Sequence, residues 1–417
     1  MHVAIVGGGV IGLCTALYCA RAGWRVTVIE RHGAERDGCS YQNGGMVVPS
    51  HFVPLAAPGM VALGLKWMWN PASPFYIKPR ASLGLADWAL KFWRSSNAAH
   101  VRRAAPLLRD LTLASRECYE ELAREDDFGF VKSGMLVLCK TPHALEEEAA
   151  VAEHARELGI PAEVLDPART AALEPGIRMD VAGAVHYALD CRLAPDRLMS
   201  ALQHRLEQSG VSFIFKTEVH GWEVHGNSIQ AAKTASGDID ADEFVLSAGS
   251  WSAELARGLG VKLPMQAGKG YSLTLPRDAA PRAGAPRMGA ILSEARMAVT
   301  PIGGAIRFGG TMELAGLNED INPIRVRGII DAVPRYYPDI RPADFEGVKP
   351  WRGLRPCTPD GLPYLGRPAR YSNLLVAAGH AMMGVSLGPV TGRLAAGMLN
   401  GAQPPLDLTL LSPNRYH

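Results

Sequence analysis

Short aliphatic runs at 2–6 and 25–30, each opened by a polar residue and closed by glycine or charge, predict two buried strands. Between them, 10–22 places Leu13, Ala16, Leu17 and Ala20 at helical spacing among good helix formers, which predicts a helix. The chain therefore opens as strand, turn, helix, strand. The alternation returns as a helix over 195–208, a strand at 211–215 and a strand at 243–248 that opens onto Gly249. It returns once more near the end, with a strand at 373–378 and a helix over 384–398 in which Pro389 removes one backbone donor. Three strand-to-glycine junctions so far apart predict one nucleotide-binding sheet assembled from distant segments.

The intervening stretches carry other patterns. Residues 49–93 are rich in proline and hold four of the eight tryptophans, Trp67, Trp69, Trp88 and Trp93, which is unlike a doubly wound unit. Residues 262–310 alternate apolar and small residues between turn signals, as antiparallel strands do. Helical patterns at 100–125 and 143–158 flank a strand at 135–139. The expected fold is α/β: a Rossmann-like domain with an α+β domain, built on a mixed or antiparallel sheet, inserted into it.

A length of 417 residues suits two domains with an ample core. Lys and Arg number 43 against 41 Asp and Glu, so the net charge of +2 gives no reason to expect nucleic acid as a partner. Seven scattered cysteines without a CxxC pair argue against a disulfide framework and a thiolate metal site, and fit a reducing, cytoplasmic setting. The run 3–20 carries no formal charge, yet it contains four glycines and follows no basic residue. It is expected to be neither a leader nor a membrane anchor.

Gly7, Gly9 and Gly12 form GxGxxG in the first turn. The first glycine permits the tight turn, the second admits a pyrophosphate to the backbone, and the third lets helix pack on strand. Val10 and Ile11 begin the helix, whose amino end presents N–H groups and positive dipole to an anion. The spacing alone is weak evidence. Its position between two strands, with Glu30 ending the second where an acid can meet ribose hydroxyls, makes dinucleotide binding the expectation.

After Glu30 the chain does not continue as a nicotinamide domain. The loop SYQNGGM at 40–46, LSAGSW at 246–251, KGYSL at 269–273 and the stretch from WRGLRPCTPDGLPYLG to GHAMMG at 351–384 resemble the FAD-dependent oxidoreductases of the D-amino-acid oxidase superfamily. PLAAPGM at 54–60 and LKWMW at 65–69 strengthen the likeness to bacterial D-amino-acid dehydrogenases, including those of D-proline and hydroxy-D-proline. The resemblance spans nearly the whole chain. It implies a discontinuous FAD domain over 1–50, 141–261 and 340–417, and a substrate domain over 51–140 and 262–339.

The resemblance also implies a non-covalent FAD along the whole cleft. Gly7, Gly9, Val10, Ile11 and Gly12 would hold its pyrophosphate, and Glu30, Arg31 and Val219 its adenosine end. Ser40, Gln42, Asn43, Gly44, Gly45 and Met46 would follow the ribityl and flavin, Ala248, Gly249 and Trp251 the third strand, and Gly353 the flavin edge. Gly379, His380, Met382, Met383, Gly384, Val385 and Ser386 would meet the pyrimidine. Trp251 could equally be core, and the two methionines could be gap fillers.

Substrate chemistry of this kind needs a cation for a carboxylate, an apolar wall and a Cα–H aimed at the flavin. Arg355 is the expected cation, since a guanidinium grips a carboxylate with two parallel hydrogen bonds. Arg352 is the natural candidate for an ordinary salt bridge instead. Tyr271 could add a hydrogen bond, and His51 and His380 could line the pocket, although such residues are more often packing or structural. The expected reaction is oxidative deamination of a free D-amino acid, a cyclic one being a candidate, with electrons passed to a quinone or another acceptor. Sarcosine oxidases carry an oxygen-assisting lysine where this chain has Arg307, and a flavin-linking cysteine near Gly353, from which Cys357 is offset. Both departures weaken the alternative of a glycine or sarcosine type oxidase. A flavin-binding subunit dependent on a partner chain is the other alternative. For residues 60–93, a quinone contact or peripheral membrane contact at the inner face, and core or subunit packing, all stay open, with packing favoured because Lys66, Lys78, Arg80 and Asp87 interrupt an apolar face.

Overall fold

The computed structural model describes residues 1–67, 73–280 and 284–416. The amino-terminal unit forms as its pattern dictates, with strands His2–Val6 and Arg25–Ile29 parallel and in contact, and helix Val10–Arg21 crossing between them. Strand His2–Val6 sits in the middle of a six-stranded sheet. In order, the sheet runs Tyr364–Gly366, Leu374–Ala378, Glu243–Leu246, His2–Val6, Arg25–Ile29, Ser212–Ile214, parallel except for Tyr364–Gly366. The distant segments thus meet as expected.

Helix Val10–Arg21 is apolar almost all round because it is covered on every side. Its Leu13 and Leu17 share one core with Leu394 and Ala395 of helix Gly384–Leu399 and Leu108 and Leu111 of helix Ala98–Leu122. Tyr119 donates its hydroxyl to the carbonyl of Val385 at 2.7 Å, tying the last two helices together. Helix Ala98–Leu122 was expected with the substrate domain; its apolar stripe instead completes the core beneath the nucleotide sheet.

The larger sheet has nine strands. Its path runs Trp351–Cys357, Gln266–Pro276, Ala305–Leu314, Met297–Ile302, Gly289–Leu292, Met135–Cys139, Gly183–Tyr187, Ala162–Leu165, with Phe75–Ile77 added parallel to Ala305–Leu314. Pairing is antiparallel except there and between Gly289–Leu292 and Met135–Cys139. Leu273, Phe308 and Met297 on one face pack against Ile329, Val333 and Tyr336 of helix Pro323–Tyr336.

Two segments expected with the nucleotide domain belong to this sheet. After helix Pro142–Glu157 the chain returns as Ala162–Leu165 and Gly183–Tyr187, and Val185 pairs with Val137. Strand Gly183–Tyr187 lies between Met135–Cys139 and Ala162–Leu165 and pairs with both, so 141–261 divides between the sheets. Strand Trp351–Cys357 likewise forms the edge of the larger sheet although 340–417 was placed with the other. A three-stranded antiparallel sheet, Val219–His225, Ser228–Thr234 and Ile239–Asp240, was not anticipated; its signal is the Gly226-Asn227 turn between alternating residues.

Helix Met60–Trp67 buries no residue. Helix Leu83–Ser95 buries only Trp88, which donates its indole N–H to the carbonyl of Cys357 at 2.9 Å and stacks on Phe92. Trp88 is therefore core, while Trp93 is 62% exposed. Trp69 and the end of LKWMW lie outside the described residues. Among the described residues no helix is long and apolar enough to cross a membrane.

Candidate active site

A cavity of about 400 Å³ opens at the carboxyl ends of the parallel strands, where open α/β sheets bind ligands. Its floor is the first turn. Gly7 has φ of 110°, a conformation that L side chains avoid, and a Cβ there would lie 2.5 Å from the carbonyl oxygen of Ser247. A Cβ on Gly12 would lie 1.9 Å from the oxygen of Gly7, so only glycine lets the helix sit this close to the strand. Gly12 supports the turn from beneath, while Gly7, Gly9, Val10 and Ile11 line the cavity. Val10 donates its N–H to the Ser40 hydroxyl at 2.9 Å, and helix geometry leaves the Ile11 N–H without an intrahelical partner.

Glu30 is buried at one end of the cavity, where it accepts from the N–H of Gly8 at 2.8 Å and of His32 at 2.9 Å. Each carboxylate oxygen thereby keeps acceptor capacity for a hydroxyl. Arg31 lies over the Trp251 ring at 3.5 Å, and both line this end with Val219, Ala248 and Gly249. Trp251 is thus a half-buried wall and stacking platform, not core.

Loop 40–46 divides between wall and clasp. Ser40 and Asn43 line the cavity, but the Asn43 side chain is spent on the carbonyls of Cys39 and Ser40 and the N–H of Gly45. The carbonyl of Gln42 accepts from Ser272, that of Gly44 from Thr300, that of Gly45 from the Leu193 N–H, and that of Met46 from Ser386. Gln42, Gly44, Gly45, Met46 and Ser386 therefore bind the loop to its neighbours and do not line the cavity. Arg307 joins them: it is buried, donates to the Asn43 carbonyl at 3.1 Å and to Thr274 at 3.0 Å, and burial pushes its pKa down. Met383 packs into the core beneath, whereas Met382 is 53% exposed at the rim beside Gly379, His380, Gly384 and Val385.

Arg355 lies in the wall. It is half-buried, donates one N–H to the Thr311 carbonyl at 2.7 Å, and has no carboxylate partner within 4.0 Å among the described residues. Arg352, three residues earlier, pairs with Asp37 and with Glu319 at 3.3 Å. Arg352 is thus engaged in ion pairs, whereas Arg355 is in none among the described residues.

Tyr271 is not at the cavity. Side chains on a strand alternate, and Gly270 pairs with Gly353 while Tyr271 pairs with Arg352, so Tyr271 faces away from Arg355. Its hydroxyl donates to Glu313 at 2.9 Å and accepts from the Asn322 N–H, and burial raises its pKa. His51 is also off the wall; burial pushes it down to about 4, and its Nδ1 lies 3.2 Å from the hydroxyl of Ser50, which donates to Asp190 at 2.5 Å. His380 does line the cavity, with Nε2 3.0 Å from the Thr391 hydroxyl, and burial lowers it to about 3, so its ring is neutral.

Several wall residues carry no signal in the sequence. Cys39 is one, its sulfur 3.1 Å from where a Cβ on Gly353 would stand and its thiol pushed up by burial. Thr217, Trp222 and Asp37 are others, on a hairpin and a loop whose placement no periodicity reveals. Gly353 itself lines the cavity.

The donors and walls fit a flavin dinucleotide: helix N–H groups and a bare turn for pyrophosphate, an acid for ribose, and a mostly apolar remainder for a ring system. The sequence profile of the family described as FAD dependent oxidoreductase (DAO) matches residues 2–398. A D-amino acid dehydrogenase of Granulibacter bethesdensis is 33% identical over 423 residues, covering 100% of both chains. One of Bradyrhizobium diazoefficiens is 32% identical, covering 100% of this chain and 99% of its own. Among solved structures, glycine oxidase from Geobacillus kaustophilus superposes with a TM-score of 0.79 at 23% identity, covering 99% of this chain and 98% of that one. L-proline dehydrogenase from P. horikoshii gives 0.75 at 18%, covering 100% and 97%.

Proposed function

Since the chain belongs to the DAO family of FAD-dependent oxidoreductases, we propose that it oxidises a free D-amino acid and passes the electrons to an acceptor other than oxygen. The relatives' names supply the substrate class; the observation that carries the reading is Arg355. A half-buried arginine that lines a largely apolar cavity and has no carboxylate partner among the described residues calls for an anion from outside the chain.

Gly7, Gly9, Val10 and Ile11 would hold the pyrophosphate of FAD, Glu30 a ribose, and Arg31, Val219, Ala248, Gly249 and Trp251 the adenosine end. Ser40, Asn43, Gly353, Gly379, His380, Met382, Gly384 and Val385 would border the remainder, held without a covalent bond. Bound FAD supplies the two-electron acceptor for the hydride that leaves Cα. Arg355 holds the substrate carboxylate, which fixes where Cα–H points and so selects one enantiomer. Its positive charge, together with the dry wall of Leu354 and Val385, favours loss of a proton from the substrate ammonium. The resulting imino acid adds water and yields a keto acid and ammonia, or stays a cyclic imine when the substrate is D-proline or a hydroxy-D-proline. Neutral His380 neither adds charge nor takes a proton at physiological pH.

The test is anaerobic addition of D- and L-alanine, D- and L-proline, hydroxy-D-proline, glycine and sarcosine to the purified yellow protein. Bleaching by the D-amino acids, strongest with the cyclic ones, and reoxidation faster by a quinone than by oxygen, is expected. Bleaching by L-amino acids alone, or rapid peroxide formation at full turnover, would overturn the assignment. A chain that bleaches unaided also excludes dependence on a partner subunit.

A further inference from the structure

Arg355 stands on the edge strand Trp351–Cys357, yet its guanidinium reaches the carbonyl of Thr311, which is two strands away. To get there it must cross strand Gln266–Pro276. It crosses at Gly270: a Cβ on that residue would lie 2.3–2.4 Å from the guanidinium carbon and both terminal nitrogens. At the far side, the register between Gln266–Pro276 and Ala305–Leu314 slips between Lys269 and Tyr271, which are paired with Glu313 and Gly310, leaving Thr311 and Met312 opposite Gly270. Thr311 takes a left-handed backbone with φ of 64°, unusual for a β-branched residue.

We propose that Gly270 and Thr311 are positioning residues that form a seat for Arg355: a bare strand position on which the guanidinium lies flat, and a bulged carbonyl that fixes its far end. The inference rests on the reading of Arg355 as the carboxylate-binding residue. One N–H is committed to the Thr311 carbonyl, and the other donors stay in one plane for the substrate. Free rotation of the long side chain would scatter those donors over the cavity.

Gly270→Ala isolates the seat. Gly270 does not have a positive φ, and the atoms that a methyl would meet are the end of a flexible side chain, so the fold accommodates alanine by displacing the guanidinium. The experiment uses the FAD-loaded full chain. It measures acetate binding through the flavin absorbance, the KM and kcat for D-proline, and the thermal midpoint. Gly270→Ala is expected to weaken acetate binding and raise KM at least tenfold, with FAD content and thermal midpoint unchanged. In an Arg355→Ala background the same substitution should alter neither acetate binding nor KM by more than twofold. Thr311→Gly, which keeps the carbonyl, should bind acetate within threefold of the parent.

Equal effects of Gly270→Ala in both backgrounds would show a general structural role and overturn the seat. So would unchanged acetate binding in the single variant, or a tenfold loss in Thr311→Gly. If Arg355→Ala itself leaves acetate binding unchanged, the carboxylate reading fails and the seat fails with it, a result distinct from the others.

Discussion

Asp190 shows how far a single buried group can bias the molecule. It is fully buried, accepts from the N–H and hydroxyl of Ser50, and is pushed by burial from 3.8 up to about 7. The folded chain therefore keeps a proton that the unfolded chain releases near pH 4. This stabilisation is complete below that pH and is lost as pH rises through 7. Asp190→Asn should remove the dependence: between pH 4 and 8 the wild-type thermal midpoint should fall relative to that of the variant, and parallel curves would refute it. Legibility at this scale follows from how much chemistry each residue type carries. Gly7, Gly12 and Glu30 could be read because a tight turn and a strand-end acid have few other uses there. Arg355 and Arg352 could be told apart only in part, since pairing with Asp37 and Glu319 is decided by folded neighbours. Tyr271 could not be placed, because one step of strand register moves a side chain to the opposite face, and His51 could not because it lies on a loop, whose course no periodicity reveals.

Elements were legible where their periodicity was strong. The βαβ opening and the helix following the last parallel strand appear within a few residues of expectation, since both are apolar runs flanked by glycine. The division between sheets was not legible: Ala162–Leu165 and Gly183–Tyr187 look like any short strand, and only partner availability sends them to the larger sheet. The packing of helix Gly384–Leu399 on Val10–Arg21 makes a sharp prediction. A Cβ on Gly392 would lie 2.4 Å from the Cys14 carbonyl carbon and 2.5 Å from its oxygen, a backbone contact that cannot swing aside. Gly392→Ala should cost about 1–3 kcal/mol in denaturant unfolding, as overpacked cores do. Gly397→Ala, whose methyl would meet only Ala402 at 3.9 Å, should be neutral. Equal stability of the two variants would contradict this packing.

At the scale of the whole molecule, the cavity is walled by segments that run between the two sheets. Loop 40–46 leaves the nucleotide sheet and is clasped by Ser272, Thr300 and Arg307 of the larger one. Strand Trp351–Cys357 carries Arg355 on the larger sheet a few residues before the chain rejoins the smaller as Tyr364–Gly366. Segments that line the cavity are thus drawn alternately from the two sheets along the sequence, which is why motifs located the cavity while domain boundaries drawn from sequence did not follow the sheets. On the proposed function, Arg355 anchors a substrate against the bound cofactor. The direct measurement is the concentration dependence of anaerobic flavin bleaching by D-proline in the wild-type and Arg355→Ala proteins. Saturable bleaching is expected in the first, and in the second an apparent dissociation constant weakened by about 2–5 kcal/mol. Superimposable curves, or a protein that takes up no flavin, would contradict it.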